Sequence, residues 1–268
     1  MGAYDTLTLE RDARGVATLT LARAEKHNAM NAQMIADLTD AAGRLAVDEA
    51  VRVVVLASAG STFCAGGDLQ WMRDQAARDR AGKIEGATEL ALMLKALDGL
   101  PKPLIGRVQG NAFGGGIGLM AVCDIVVAVE SAWFALTETR LGLIPATIGP
   151  YVVRRIGEGH ARRLFLNARR FDAATGREIG LVSVVSTAGE LDAAVEEEAS
   201  AFLDCAPGAV ASAKSLVQNL ARQAIEDPVG YSTGLLADRW ESAEGRDGID
   251  AFLNRRPMPW AAPKAGED

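Results

Sequence analysis

The chain contains 268 residues, of which 49% are hydrophobic and 24% are charged, and its formal net charge at pH 7 is −7. This length and apolar content are enough for a sizeable buried core, while the negative charge argues against a nucleic-acid partner. No apolar run reaches the roughly 18 residues that a membrane span requires, so we expect no membrane partner either.

Strand and helix patterns alternate through the first half of the chain. The predicted strands are residues 6–10, 16–21, 51–57, 103–108, 124–129 and 133–136. The first two flank a turn and predict an antiparallel hairpin, and the run at 51–57 is apolar throughout, as in strands buried on both faces. This alternation predicts an α/β sheet with right-handed crossovers.

The predicted helices lie between these strands and dominate the last third of the chain. Asn31 is placed to cap the first helix, another contains Trp71 and Met72, and a third contains Leu90, Leu94 and Leu97. Further helices are predicted at residues 152–166, 173–180, 191–203, 207–220 and 231–242, with a short strand at 181–185. The tail at 261–268 is predicted to be disordered.

The three cysteines, Cys64, Cys123 and Cys205, are odd in number, and their spacing is unlike that of a metal site. The N-terminus shows no secretory leader pattern. We therefore expect reduced thiols, no metal and a cytoplasmic location.

A glycine-rich stretch at 110–118, G-N-A-F-G-G-G-I-G, joins a predicted strand to a predicted helix. Such a turn directs free backbone N–H groups outward at the positive end of a helix dipole, which suits an anion or a developing oxyanion. A tight turn with close helix packing explains the glycines equally well. The stretch lacks the G-K-[S/T] of a P-loop and the acidic residue of a dinucleotide site.

A second glycine-containing loop, residues 61–68, leaves the end of the strand at 51–57 and precedes the helix with Trp71. Both loops are expected at the carboxyl ends of parallel strands, where ligands bind in open α/β sheets. One backbone N–H from each loop would make an oxyanion hole. Asp68 is predicted to cap the following helix rather than to act as a catalyst.

Several motifs resemble the crotonase superfamily of enoyl-CoA hydratases and isomerases, and together they span essentially the whole chain. They are A-E-K-H-N-A-M-N at 24–31, F-C-A-G-G-D-L at 63–69, G-N-A-F-G-G-G-I-G-L at 110–119, T-E-T-R-L-G-L-I-P at 137–145, R-R-F-D-A-A-T-G-R-E-I-G-L-V at 169–182 and G-I-D-A-F-L-N-R-R-P-M-P-W at 248–260.

The resemblance implies a fold and an assembly. The expected fold is α/β, with a crotonase-type ββα spiral core at residues 1–195 and a helical C-terminal trimerisation region at 196–268. The expected assembly is a homotrimer or a homohexamer. Coenzyme A would enter as part of an acyl-CoA thioester substrate, with no metal and no separate cofactor.

The resemblance also implies the site residues. The N–H groups of Ala65 and Gly115 would hold the thioester oxygen, and Glu138 would be the catalytic carboxylate. The residues expected to bind coenzyme A are Glu25, Lys26, Ala29, Ala65, Gly66, Gly67, Asp68, Leu69, Gly114 and Gly115. Independently, the apolar sequence on both sides of Glu138 predicts a raised pKa, as general acid–base chemistry requires. Neither His27 nor His160 has a Ser or Cys partner in a motif, so no catalytic triad is predicted.

One position departs from the family pattern. Two-glutamate hydratases carry their first glutamate in G-G-G-x-E-L, where this chain has Gly118. The leading interpretation is an enoyl-CoA hydratase. A single-glutamate isomerase and an inactive acyl-CoA-binding member remain as alternatives.

Two longer stretches are A-F-G-G-G-I-G-L-M at 112–120 and R-L-G-L-I-P-A-T-I-G-P-Y-V-V-R-R-I-G at 140–157. Within the superfamily they most resemble bacterial 3-methylglutaconyl-CoA and isohexenylglutaconyl-CoA hydratases, enzymes of leucine and acyclic-terpene breakdown. Their substrates carry a second carboxylate. The basic residues considered for it are Arg73, Arg78, Arg80, Lys83 and Arg140.

Overall fold

The computed structural model describes residues 4–221 and 226–261. The predicted disorder of the last residues therefore lies outside the described chain, apart from Ala261.

A six-stranded sheet forms the larger layer of the fold. Its order is β1 (Leu7–Arg11), β2 (Val16–Leu21), β3 (Val53–Ser58), β5 (Leu104–Val108), β7 (Ile125–Val129) and β10 (Val184–Ser186). β1 and β2 form the predicted antiparallel hairpin, with Leu7 opposite Leu21, and all later neighbours are parallel. Every residue of β3 is buried, which explains its unbroken apolar sequence.

A second, four-stranded sheet is made from short strands, of which the sequence indicated only the one at 133–136. Its order is β4 (Thr62–Cys64), β6 (Asn111–Phe113), β8 (Trp133–Ala135) and β9 (Phe171–Asp172). β4 lies within the predicted loop at 58–68, and β6 lies within the glycine-rich stretch. β4, β6 and β8 each follow a strand of the first sheet directly, so both sheets advance in the same order. This repetition is the ββα spiral expected from the resemblance.

Helices cover the sheets and connect the repeats. They are α1 (Ala32–Val47), α2 (Leu69–Ala77), α3 (Arg80–Asp98), α4 (Gly115–Val122), α5 (Gly149–Asn167), α6 (Ala173–Glu178) and α7 (Leu191–Leu203). Asn31 caps α1 as predicted, because its side chain accepts a hydrogen bond from Met34 N–H at 2.9 Å. α3 begins at Arg80, ten residues before Leu90, the first residue by which this helix was predicted. α5 is broken at Gly157, whose φ is 76°.

The C-terminal helices are α8 (Pro207–Ala221), α9 (Pro228–Glu241) and α10 (Ala243–Leu253), the last of which was not predicted. Lys214 of α8 pairs with Asp124 at 2.7 Å, and Gln218 donates to the carbonyl of Asp98 at 2.7 Å, so α8 is attached to the core of its own chain. The predicted domain boundary at 195 falls inside α7, which packs on β5 and β7. The helices beyond the sheets therefore begin at Pro207.

Within residues 4–221 and 226–261, no helix combines the length and the apolar character needed to cross a bilayer.

Candidate active site

The two glycine loops meet because β4 and β6, which lie within them, pair in parallel, and the chain before α1 pairs with the loop before α2. Met30 forms a parallel bridge with Gly67: Met30 N–H donates to the carbonyl of Gly66 at 2.7 Å, and Asp68 N–H donates to the carbonyl of Met30 at 2.9 Å. Gly66 has a φ of 92°, and a Cβ there would lie 2.9 Å from the carbonyl oxygen of Phe113. The absence of a side chain at Gly66 thus allows the loop to approach the second loop closely.

The predicted oxyanion role of Ala65 is wrong. Its N–H already donates to the carbonyl of His27 at 3.0 Å, which leaves no free donor for a ligand. In the parallel bridge, the N–H of Asp68 and the carbonyl of Gly66 point toward Met30. Because successive residues of an extended strand face opposite sides, the N–H of Gly67 points away from Met30. Gly67 lines a cavity that Gly115 and Glu138 also line. Gly67, and not Ala65, supplies the available amide of this loop.

The second amide comes from the start of α4. Gly114 has φ 49° and ψ −116°, and its own N–H donates to the carbonyl of Ala135 at 3.0 Å. Gly115 is the first residue of the helix, so its N–H has no acceptor within the helix. Gly115 lines the same cavity as Gly67. The predicted position of Gly115 in the site is therefore consistent with the geometry.

Glu138 begins a short 3-10 helix, Glu138–Leu141, after β8. A Cβ on Gly114 would lie only 3.1 Å from Oε1 of Glu138, so the carboxylate lies directly against the start of α4. Oε2 of Glu138 is buried and has no hydrogen-bond partner among the described residues. Burial raises the pKa of this carboxyl above its ordinary value, in the direction predicted.

The place that a side chain on Gly118 would occupy is filled by isoleucine. A Cβ on Gly118 would lie 2.4 Å from Cγ2 of Ile148 and 3.7 Å from Cδ2 of Leu94. Ile148 is buried and lines the cavity. The missing carboxylate is thus replaced by an apolar wall rather than by open space.

A cavity of about 520 Å³ connects these groups. Its lining is mostly apolar and comes from the loops and from α2, α3, α4 and the segment before α5. The lining residues are Met30, Ile35, Gly67, Trp71, Met72, Gln75, Ala76, Lys83, Ala87, Leu90, Gly115, Glu138 and 142–148. The sequence does not indicate Ile148 and Trp71 as members of the site, because nothing in their local pattern distinguishes them from ordinary apolar residues of a helix or its start.

Asp68 caps α2 as predicted. Its side chain accepts hydrogen bonds from Gln70 N–H at 2.8 Å and Trp71 N–H at 3.3 Å, and it pairs with Arg23 at 3.1 Å. Burial alone would raise the pKa of Asp68, but these hydrogen bonds and the Arg23 charge together hold it below its ordinary value. Asp68 is therefore a fixed anion that orders the loop containing Gly67.

The remaining predicted coenzyme A residues lie around the cavity rather than within its lining. Glu25 and Lys26 form an exposed single-turn helix, Ala29 is buried beside Met30, and Leu69 is exposed. Their roles stay predictions. The described residues contain no group of three or more His, Cys, Asp or Glu side chains that is arranged to hold a metal ion.

The sequence of this chain is similar to a known family and to known proteins. The family described as enoyl-CoA hydratase/isomerase matches residues 11–263. The enoyl-CoA hydratase AKT6-1 of Alternaria alternata is 32% identical, with 86% of this chain and 83% of the relative covered.

Two solved structures agree with the fold along nearly their whole length. The enoyl-CoA hydratase from Shewanella pealeana has 37% identity and a TM-score of 0.91, covering 95% of this chain and 96% of its own. The enoyl-CoA hydratase/isomerase from Marinobacter aquaeolei has 32% identity and a TM-score of 0.90, covering 96% of this chain and 100% of its own. This likeness confirms the predicted fold class.

Proposed function

The chain belongs to the enoyl-CoA hydratase/isomerase family, and from this premise we propose that it adds water across the double bond of a 2-enoyl-CoA thioester. The N–H groups of Gly67 and Gly115 would donate to the thioester oxygen. Backbone donors fixed in this way stabilise the negative charge that develops on that oxygen in the transition state. Polarisation of the thioester also makes C3 of the enoyl group electrophilic.

Glu138 would carry the proton chemistry alone. As a carboxylate it accepts a proton from the water that attacks C3, and as an acid it returns a proton to C2 of the enolate. Its raised pKa suits both halves of this task, because a group that gains and loses a proton in one cycle works best with a pKa near the working pH. The reaction then needs neither a metal nor a bound redox cofactor.

The observation that carries the proposal is the buried, unpartnered oxygen of Glu138 beside the start of α4. A buried polar atom without a partner is costly to stability and requires an explanation. A reacting water or substrate would supply the missing partner.

The test is a panel assay of purified protein with crotonyl-, 3-methylcrotonyl- and 3-methylglutaconyl-CoA. Hydration removes the conjugated enoyl thioester, so we expect its ultraviolet absorbance to fall with at least one substrate. Binding of acyl-CoA without any change in absorbance would instead identify an inactive acyl-CoA-binding protein.

Double-bond isomerisation is the second candidate, and the contact between Gly118 and Ile148 favours it. An isomerase needs one carboxylate that moves a proton along the acyl chain, and it needs no second group to hold water. The isoleucine wall beside Glu138 matches that requirement. A gain of conjugated absorbance from a 3-enoyl-CoA, with no hydration of 2-enoyl-CoA, would establish this reaction instead.

We also propose the finer details that the resemblance implies. The acyl group is of the 3-methylglutaconyl type, the protein is cytoplasmic, and the chain assembles as a trimer or a hexamer through its helical C-terminal region. The exposed apolar side chains of α9 and α10, including Leu236, Trp240 and Phe252, support an assembly that covers them.

A further inference from the structure

Lys83 is the one basic side chain that lines the cavity in the described part of the chain. It belongs to the first turn of α3, and Ala87 and Leu90 follow at the i+4 and i+7 positions on the same helix face. All three line the cavity, and because Leu90 is buried while Lys83 is exposed, Lys83 lies at the solvent-exposed end of this helix face. Its ammonium group has no hydrogen bond or ion pair among the described residues.

The other basic residues considered for a substrate carboxylate do not share this position. Arg78 pairs with Glu85, and neither Arg73, Arg80 nor Arg140 lines the cavity. Of the five basic residues considered for a second substrate carboxylate, only Lys83 therefore lines the cavity.

The stability of α3 does not explain the charge on Lys83. A cation in the first turn of a helix is disfavoured by the helix dipole, and this turn contains no acidic residue to offset it. Asp79, the cap residue, uses its side chain to accept the N–H of Gly82 at 2.8 Å. Lys83 is exposed, so its ammonium group is available to an anion that enters the cavity.

Lys83 and the residues around Gly118 lie far apart along α3. Leu94, whose Cδ2 would lie 3.7 Å from a Cβ on Gly118, is eleven residues beyond Lys83, or roughly 16 Å at 1.5 Å per residue. The cavity that Lys83, Glu138 and Ile148 all line has a volume of about 520 Å³.

A second unused donor lies in the same cavity wall. The indole nitrogen of Trp71 on α2 is buried and has no acceptor among the described residues. Buried indole N–H groups normally find an acceptor, so this one also points to an oxygen of a ligand. α2 and α3 pack against each other through Gln75 and Gly86, since a Cβ on Gly86 would lie 2.4 Å from Oε1 of Gln75.

We propose that Lys83 binds a carboxylate at the far end of the acyl group, so that the preferred substrates are 2-enoyl-CoA thioesters of dicarboxylic acids. The apolar wall holds the chain, and the ammonium selects its charged end. This inference rests on the proposed function, because it takes the thioester to lie at Gly67 and Gly115. The 3-methylglutaconyl group is one member of the class.

The first experiment measures binding without turnover. The dissociation constants of saturated thioesters are determined by calorimetry, with each dicarboxylic acyl-CoA compared with the monocarboxylic acyl-CoA of equal chain length. We expect the dicarboxylic member to bind about tenfold more tightly to the native protein, and Lys83→Met to remove that preference. Lys83→Arg should keep most of it. Trp71→Phe should reduce the preference by a smaller factor.

The matched control is Arg80→Met, which removes a cation from the same helix turn outside the cavity lining. It should leave the preference unchanged. Equal weakening of both acyl classes by Lys83→Met would mean that Lys83 meets a coenzyme A phosphate, and would overturn the proposal. An equal affinity of the native protein for both classes would overturn it as well.

A turnover assay distinguishes a failure of this inference from a failure of the proposed function. Native protein and Lys83→Met are compared on dicarboxylic and monocarboxylic 2-enoyl-CoA substrates, from glutaconyl-CoA to chains about twice as long. We expect Lys83→Met to lower kcat/KM about tenfold for the dicarboxylic substrates alone. If no enoyl-CoA reacts with native protein, the proposed function fails, while the binding comparison still decides the role of Lys83.

Discussion

Replacing Gly118 by alanine tests whether Ile148 occupies the place of the missing carboxylate. In an open helix position the change from glycine to alanine stabilises the fold by about 0.5–1 kcal/mol. At Gly118 the new Cβ would meet Cγ2 of Ile148 at 2.4 Å and its Cβ at 3.0 Å. Both atoms lie close to the backbone of a buried, β-branched residue, so they cannot move aside freely. Overpacking of this kind costs about 1–3 kcal/mol, and we expect a net loss of stability of about 1–2 kcal/mol.

Gly43 provides the matched control, because it lies within α1 and a Cβ there would have no atom within 4 Å. Gly43→Ala should raise the free energy of unfolding, whereas Gly118→Ala should lower it, in urea denaturation at one protein concentration. Ile148→Leu removes the branch at Cβ, so the double variant with Gly118→Ala should recover about 0.5–3 kcal/mol. Equal stabilisation by both alanine substitutions would refute the contact. The same contact predicts that Gly118→Glu will not restore a two-carboxylate site.

Three further predictions concern the site, its pH dependence and the assembly. Gly115→Val should lower kcat about 10²–10³-fold, because the new side chain obstructs an oxyanion donor. The protein should still fold, since the nearest atom to the new Cβ is the terminal methyl group of Met30 at 2.3 Å. Cys64→Ser should change kcat little, and a near-native kcat of Gly115→Val would show that the oxyanion hole lies elsewhere. Because the pKa of Glu138 is raised in the folded state, its contribution to stability is present below the ordinary carboxyl pKa and is lost as the pH rises through the raised value. The free energy of unfolding of Glu138→Gln, relative to that of the native protein, should therefore increase over that pH interval. A decrease, measured by urea denaturation at a series of pH values, would contradict the burial of Glu138. Light scattering at micromolar concentration should give a trimer or a hexamer, whereas a 28.2 kDa species would exclude that assembly.

The main sheet could be predicted because its strands and helices carry local signals. The unbroken apolar run of β3, the hairpin of β1 and β2, and the caps Asn31 and Asp68 all appear where the sequence indicates them. Of the second sheet only β8 was predicted, as the strand at 133–136, since strands of two or three residues are too short to show a period.

The site was only partly predictable, because its geometry depends on contacts distant in sequence. Local motifs indicate Glu138 and the glycine loops. The choice between Ala65 and Gly67 as donor depends on the bridge to Met30 and on the carbonyl of His27, more than thirty residues earlier. The apolar wall at Ile148 likewise lies thirty residues after Gly118, and no local pattern connects the two.

The most direct test of the central claim, that Glu138 alone carries the proton chemistry, is kcat for Glu138→Gln measured beside its dissociation constant for a saturated acyl-CoA. Glutamine keeps the size and hydrogen bonding of the side chain but cannot accept a proton. We predict a fall in kcat of about 10²–10⁴-fold with an unchanged dissociation constant, because the proposed contacts to the thioester come from the two loops. A variant within a few-fold of the native kcat would show that another group moves the proton.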